Sequence, residues 1–245
     1  MKRLLLIFLM FGVIVCLLVG CNGVTPPPGE GEGEGEGEPE TVKQVVLVEA
    51  FVAADCANCN VVRPHLEQLA EEYDREEMIL VELIPWGPYA IPEAKQRRTW
   101  YGLDKELINI LFNGERLLWG NPNYATIKSR IDMQMASTPK VSIQASRTKD
   151  GLASIISGTI KNISATTLSG LVINGMAFGI RGKFNYAVVD IFEDEKVAVT
   201  SLTAGETKSF TITLEDINWD GLNLDGVIFV QSTSNQVIYQ SLFIE

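Results

Sequence analysis

Cys56 and Cys59 are the residues of this chain whose type and spacing could carry out chemistry by themselves. An apolar run, Val45 to Val52, leads through Asp55-Cys56-Ala57-Asn58-Cys59 into an amphipathic pattern that continues to Tyr73. Two cysteines three apart in the first turn of a helix can close a small disulfide, and the positive end of the helix favours a thiolate on the first of them. The expected chemistry is thiol–disulfide exchange, with Cys56 as the attacking thiolate and Cys59 resolving the mixed disulfide. Asp55 opposes a thiolate at Cys56 and the helix terminus favours one, so the direction of electron flow stays open.

The elements that must hold this pair follow from periodicity. Val45 to Val52 is apolar except for Glu49, as expected for a strand covered on both faces. Beyond Cys59, Val62, Leu66, Leu69 and Tyr73 form one helical stripe, and Ile79 to Ile84 is the next strand, ended by Pro85. Glu93 to Trp100 has the composition of a short polar helix. Ile108 to Phe112, the Asn113-Gly114 turn and Arg116 to Trp119 predict a hairpin, and Asn123 to Ala136 a closing helix with Ile127, Ile131 and Met135 inward. Such alternation predicts an α/β layer with largely parallel strands. Trp86 and Tyr89, in the loop after the Ile79 to Ile84 strand, either cover the dithiol, form a substrate-facing surface or pack on the domain's own core.

Around the cysteines the chain resembles the thioredoxin-like superfamily over about residues 42 to 136. Val45 to Phe51 resembles the family's central strand, and Pro64 its helix-kinking proline. Tyr101-Gly102 and Leu111-Phe112-Asn113-Gly114-Glu115 resemble its segment leading into an Asn-Gly hairpin. The resemblance implies an α/β thioredoxin-like domain and redox activity on protein thiols or disulfides. Its cis-proline position falls on Leu107 or Ile108 here, and Asp55 stands where the family commonly has tryptophan. The family's buried acid aligns with Ala50; Glu49, one residue away, is a possible auxiliary that would need a shifted register to face the dithiol.

After Ala136 the texture changes to short β-rich runs and turns. Strands are expected at Lys140 to Ser146, Ala153 to Lys161, Leu168 to Ala177, Tyr186 to Phe192, Lys196 to Ser201, Thr207 to Leu214, Val227 to Ser232 and Gln236 to Phe243. Their number and spacing predict a second, all-β sandwich domain over 137–245. Gly158 to Asn162 and Leu202 to Phe210 are similar to immunoglobulin-like modules of bacterial surface proteins. This half contains no histidine or cysteine, and Asp190, Glu193, Asp194 and Glu195 read as a solvated turn, with calcium binding through their oxygens as the alternative.

The N-terminus reads as an export signal, with Met1-Lys2-Arg3 before the apolar run Leu4 to Val19. Leu18-Val19-Gly20-Cys21 resembles the lipobox of bacterial lipoproteins, which implies cleavage after residue 20 and acylation of Cys21. Residues 21–41, with Pro26-Pro27-Pro28 and alternating Gly and Glu, predict a flexible tether. The expected location is therefore the bacterial cell envelope, outside the cytoplasm and lipid-anchored to membrane.

The formal charge is −11, and loss of Lys2 and Arg3 leaves 18 basic against 31 acidic residues, or −13. That balance argues against nucleic acid as a partner. With His65 the one histidine, a four-ligand Cys/His zinc site cannot be completed within one chain, so no metal and no cofactor is expected. The competing reading is a non-enzymatic surface lipoprotein, in which the first domain is a scaffold with a permanently closed disulfide and the sandwich binds a partner.

Overall fold

The structure, a computed structural model, describes residues 42–103, 108–151, 153–215 and 217–245. The export-signal segment, Cys21 and the tether lie outside the described residues, as does Leu107.

In chain order the elements are β1 (Val46–Phe51), α1 (Ala57–Glu72), β2 (Met78–Leu83), α2 (Pro92–Trp100), β3 (Asn109–Phe112), β4 (Glu115–Trp119) and α3 (Tyr124–Met135). Then come β5 (Val141–Asp150), β6 (Ala153–Asn162), β7 (Leu168–Arg181), β8 (Phe184–Ile191), β9 (Val197–Leu202), β10 (Thr207–Leu214), β11 (Asp225–Ser232) and β12 (Ile238–Ile244). Every residue of β1 and β2 is buried, which explains their nearly unbroken apolar sequence. The β3–β4 turn uses Asn113 (φ +51°) and Gly114 (φ +73°), the two left-handed positions of a tight hairpin. A Cβ on Gly114 would lie 2.1 Å from the Gln236 carbonyl oxygen, so only glycine fits there.

One mixed sheet of nine strands runs β12-β11-β7-β8-β2-β1-β3-β4, with β9 also pairing along β7. β1 and β2 are parallel, and β3 is antiparallel to β1. A second sheet, β10-β6-β5, faces the far end of the first. Ile156, Ile160, Phe210 and Ile212 of the smaller sheet share a core with Leu171, Ile173, Ile228 and Val230 of the larger, which makes this part a β-sandwich.

The expectation of an α/β thioredoxin-like domain followed by a separate immunoglobulin-like sandwich is corrected by this topology. Among the described residues the chain is mostly β, with twelve strands against three helices. Strands from both halves share the large sheet, joined where β2 meets β8 in parallel at Glu82 and Ala187. Thr41–Glu245 is one compact unit. The reason is hydrophobic: one core combines Leu47, Phe51, Ile79 and Val81 with Phe178, Val188, Val227 and Phe229. Each such side chain contributes about 1.5–3 kcal/mol on burial, so neither half can close its core alone without exposing them.

Candidate functional site

Cys56 and Cys59 form a disulfide at the start of α1. Cys56 is the N-cap residue, in extended conformation, and its sulfur accepts the backbone N–H of Cys59 at 3.0 Å. Serine or aspartate commonly fills this role, so the sulfur replaces an oxygen as acceptor for one of the helix's unpaired donors. On reduction the same N–H and the helix terminus would stabilise negative charge on Cys56.

Both cysteines are buried, Cys56 at 1% exposure and Cys59 at 0%. They share a core with Val62 and Leu66 of α1, Val48 and Ala50 of β1, and Ile108. Ile108 has φ +73°, an uncommon backbone conformation for a β-branched residue, and its side chain is fully buried. Phe184 and Ala187 complete the same core from β8.

The turn between β7 and β8 lies across the motif. Lys183 Nζ donates to the Ala54 carbonyl at 2.8 Å and to Asn60 Oδ1 at 3.1 Å, one contact on each side of the cysteines. Arg63, one helical turn beyond Cys59, donates through Nη2 to the Lys183 carbonyl at 2.7 Å, and its guanidinium stands 4.5 Å from the Phe184 ring centre. Tyr89 packs edge-on against Phe184, and a Cβ on Gly182 (φ +61°) would lie 2.3 Å from the Tyr89 hydroxyl. Tyr89 therefore packs on the core around the dithiol, whereas Trp86 is 37% exposed, with Arg98 over its ring.

A buried acid does lie on this face of the sheet, but it is Glu82 and not Glu49. Ala50 is paired with Glu82 across β1 and β2, so both point toward α1. Arg63 Nε donates to Glu82 Oε1 at 2.5 Å, and the Tyr186 N–H donates to Oε2 at 3.1 Å. Burial holds the Glu82 carboxyl above its usual range despite the Arg63 charge. Glu82 carries the same sequence signal as Glu49, a lone acid in an apolar strand, whereas Lys183 and Phe184 carry none.

Glu49 lies on the opposite face, away from the cysteines. Its carboxylate accepts Arg97 Nε at 2.5 Å and the Tyr101 hydroxyl at 2.7 Å. Arg97 Nη2 reaches the Tyr101 hydroxyl at 2.9 Å and Gln231 Oε1 at 3.2 Å. Burial works against the charge on Arg97, but Glu49 raises its pKa overall; burial pushes the Tyr101 hydroxyl well up. The structure thus brings Cys56 and Cys59 together and leaves Glu49 apart from them.

No family model and no curated protein matches the chain. Among solved structures, HBP35 of Porphyromonas gingivalis is similar over 82% of this chain and 74% of that one, at 15% identity and a TM-score of 0.66. That likeness concerns the fold. A domain of the outer membrane lipoprotein Omp28 from Porphyromonas gingivalis is matched over 44% of this chain and 89% of that one, at 13% identity and TM-score 0.29. Bacteroides uniformis beta-glucuronidase is matched over 44% of this chain and 12% of that one, at 16% identity and TM-score 0.27. These two scores are too low to carry any property to this chain.

Proposed function

We propose that the protein is a lipid-anchored, extracytoplasmic thiol–disulfide oxidoreductase of the bacterial cell envelope, working through Cys56 and Cys59. The observation that carries this reading is the Cys56 sulfur at the N-cap of α1, accepting the Cys59 N–H. The lipobox-like Leu18-Val19-Gly20-Cys21 supports the anchor.

In the oxidised form a substrate thiolate attacks the Cys56 sulfur, the intramolecular S–S bond breaks, and Cys59 leaves as the thiolate. A second substrate thiolate then attacks the substrate sulfur of the mixed disulfide and releases Cys56. The substrate departs as a disulfide and its two electrons remain on the Cys56/Cys59 pair. Run in reverse, Cys56 attacks a substrate disulfide and Cys59 resolves the intermediate.

Because Cys56 is buried, attack requires the neighbouring β7–β8 turn to withdraw, and Lys183 and Arg63 are among the side chains that hold it in place. Burial is also the observation that favours a second reading, a surface lipoprotein with a permanently closed structural disulfide.

Equilibrating the purified protein against glutathione separates the two. A potential in the exchangeable range supports the oxidoreductase; one well below about −300 mV makes the disulfide structural. Lys183→Ala is expected to speed reduction of the disulfide several-fold. Cys56→Ser is expected to abolish exchange while the fold is kept, and exchange that persists in it removes Cys56 from the mechanism.

A further inference from the structure

A cavity of about 280 Å³ lies on the face of the sheet opposite the dithiol, between α2, the large sheet and the turn after β8. Its volume is near the lower end of small-molecule sites. Three of its polar lining side chains are almost fully buried: Arg97 at 4%, Asn174 at 3% and Gln231 at 1% exposure. Trp100 also lines it and keeps 39% of its surface exposed, an aromatic ring at the edge of a hollow whose accessible wall is mostly apolar.

The charges of the lining are already matched. Arg97 is paired with Glu49, and Lys196 Nζ lies 2.7 Å from Glu193 Oε2. A charged ligand would have to compete with one of these partners, so the cavity favours a neutral one. Hydrogen-bonding capacity of both kinds remains. Asn174 donates one amide hydrogen to Glu193 Oε1 and has a second to offer. The Glu193 carboxylate and Gln231 Oε1 keep acceptor lone pairs, and the Lys196 ammonium keeps donors beyond its bond to Glu193. The buried members stand on β7, β11 and α2, and are held by other protein groups before any ligand arrives.

A ring with adjacent hydroxyls, each able to donate and accept, and with an apolar C–H face to lay on an indole fits this lining. A purely apolar molecule would use the indole face but gain nothing from the donors and acceptors that remain on Asn174, Glu193 and Lys196. We propose that the cleft between α2 and the β7–β11 part of the sheet binds a neutral sugar ring, with Trp100 as the stacking platform and Asn174, Glu193 and Lys196 addressing its hydroxyls. The proposal is independent of the redox reading, since site and dithiol occupy opposite faces.

The test uses the purified full-length protein with glucose, galactose and N-acetylglucosamine and their disaccharides as probes, followed by saturation-transfer NMR and tryptophan fluorescence. At least one neutral probe is expected to bind with a Kd below about 10 mM. Trp100→Ala, at an exposed position, is expected to weaken it about tenfold while far-UV circular dichroism is unchanged. Glu193→Gln supplies a second reading of the same site and is also expected to weaken binding. Cys56→Ser is expected to bind as the wild type does. Absence of saturable binding by every probe overturns the proposal, as does equal binding by Trp100→Ala and wild type, or preference for a charged sugar such as glucuronate over its neutral counterpart.

Discussion

Two buried arginine–glutamate pairs occupy opposite faces of the same sheet, and they are secured differently. On the α2 face, Arg97 and Glu49 are closed into a network of side chains by Tyr101 and Gln231. On the α1 face, Arg63 and Glu82 are tied to the backbone of the β7–β8 hairpin, through the Lys183 carbonyl and the Tyr186 N–H. The first pair braces a core. The second joins the helix that begins at the dithiol to the turn that covers it, so loosening it changes access as well as stability. Buried pairs of this kind add little net stability over apolar packing, but breaking one strands its partner's charge.

Removing Arg97 breaks this comparison most severely. Arg97→Ala leaves the fully buried Glu49 with Tyr101 as its hydrogen-bond donor among the described side chains, and is expected to cost about 3–5 kcal/mol, read as a lower urea midpoint. The rate of disulfide reduction in the still-folded protein should be unchanged.

Arg63→Ala is expected to cost less, about 2–3 kcal/mol, because Glu82 keeps the Tyr186 N–H and its raised pKa lets it take up a proton. Here reduction by dithiothreitol should accelerate several-fold in denaturant-free buffer at neutral pH. Equal reduction rates in the two arginine variants would show that the α1-face pair has no hold on access to the cysteines.

The smallest expected effect sharpens the comparison from a site near α2. Asp190, in β8, is raised from 3.8 to about 6 by burial, with the acids Glu195, Glu93 and Asp194 adding to the effect. Its folded form holds the proton more tightly than the unfolded chain does. The stability it contributes is therefore full below about pH 3.8 and is lost as pH rises through about 6. Asp190→Asn should be more stable than wild type at pH 7, by about 1 kcal/mol once solvent screening of this half-exposed group is allowed for. The two proteins should converge below pH 4 in urea titrations, with the dithiol unaffected throughout.

Local pattern was enough to find the pieces. Each of the fifteen strands and helices falls within a few residues of its expected place, because apolar periodicity of two or near 3.6 is a property of neighbouring residues. The Asn113-Gly114 turn and the Cys56-Cys59 motif at a helix start were legible for the same reason. Glu49 was legible as an anomaly, a charge in an apolar strand, but its partner was not: Arg97 lies on another element and Gln231 in the other half of the chain.

Assembly was decided by contacts between residues far apart in sequence. A strand's side-chain pattern says that its faces will be covered without saying by what, and its edge carries no sign of which strand will pair there. β2 therefore looked complete within an α/β unit, yet it takes β8 as its neighbour and turns two expected domains into one shared sheet. Lys183 and Phe184 likewise belong to an ordinary hairpin until tertiary packing brings them over residues 120 or more positions earlier. The sequence alone determined the elements and the reactive pair, since both rest on local spacing. Only the tertiary structure decided that the pair is covered and that the acid beside α1 is Glu82, since both depend on which distant surfaces exclude water together.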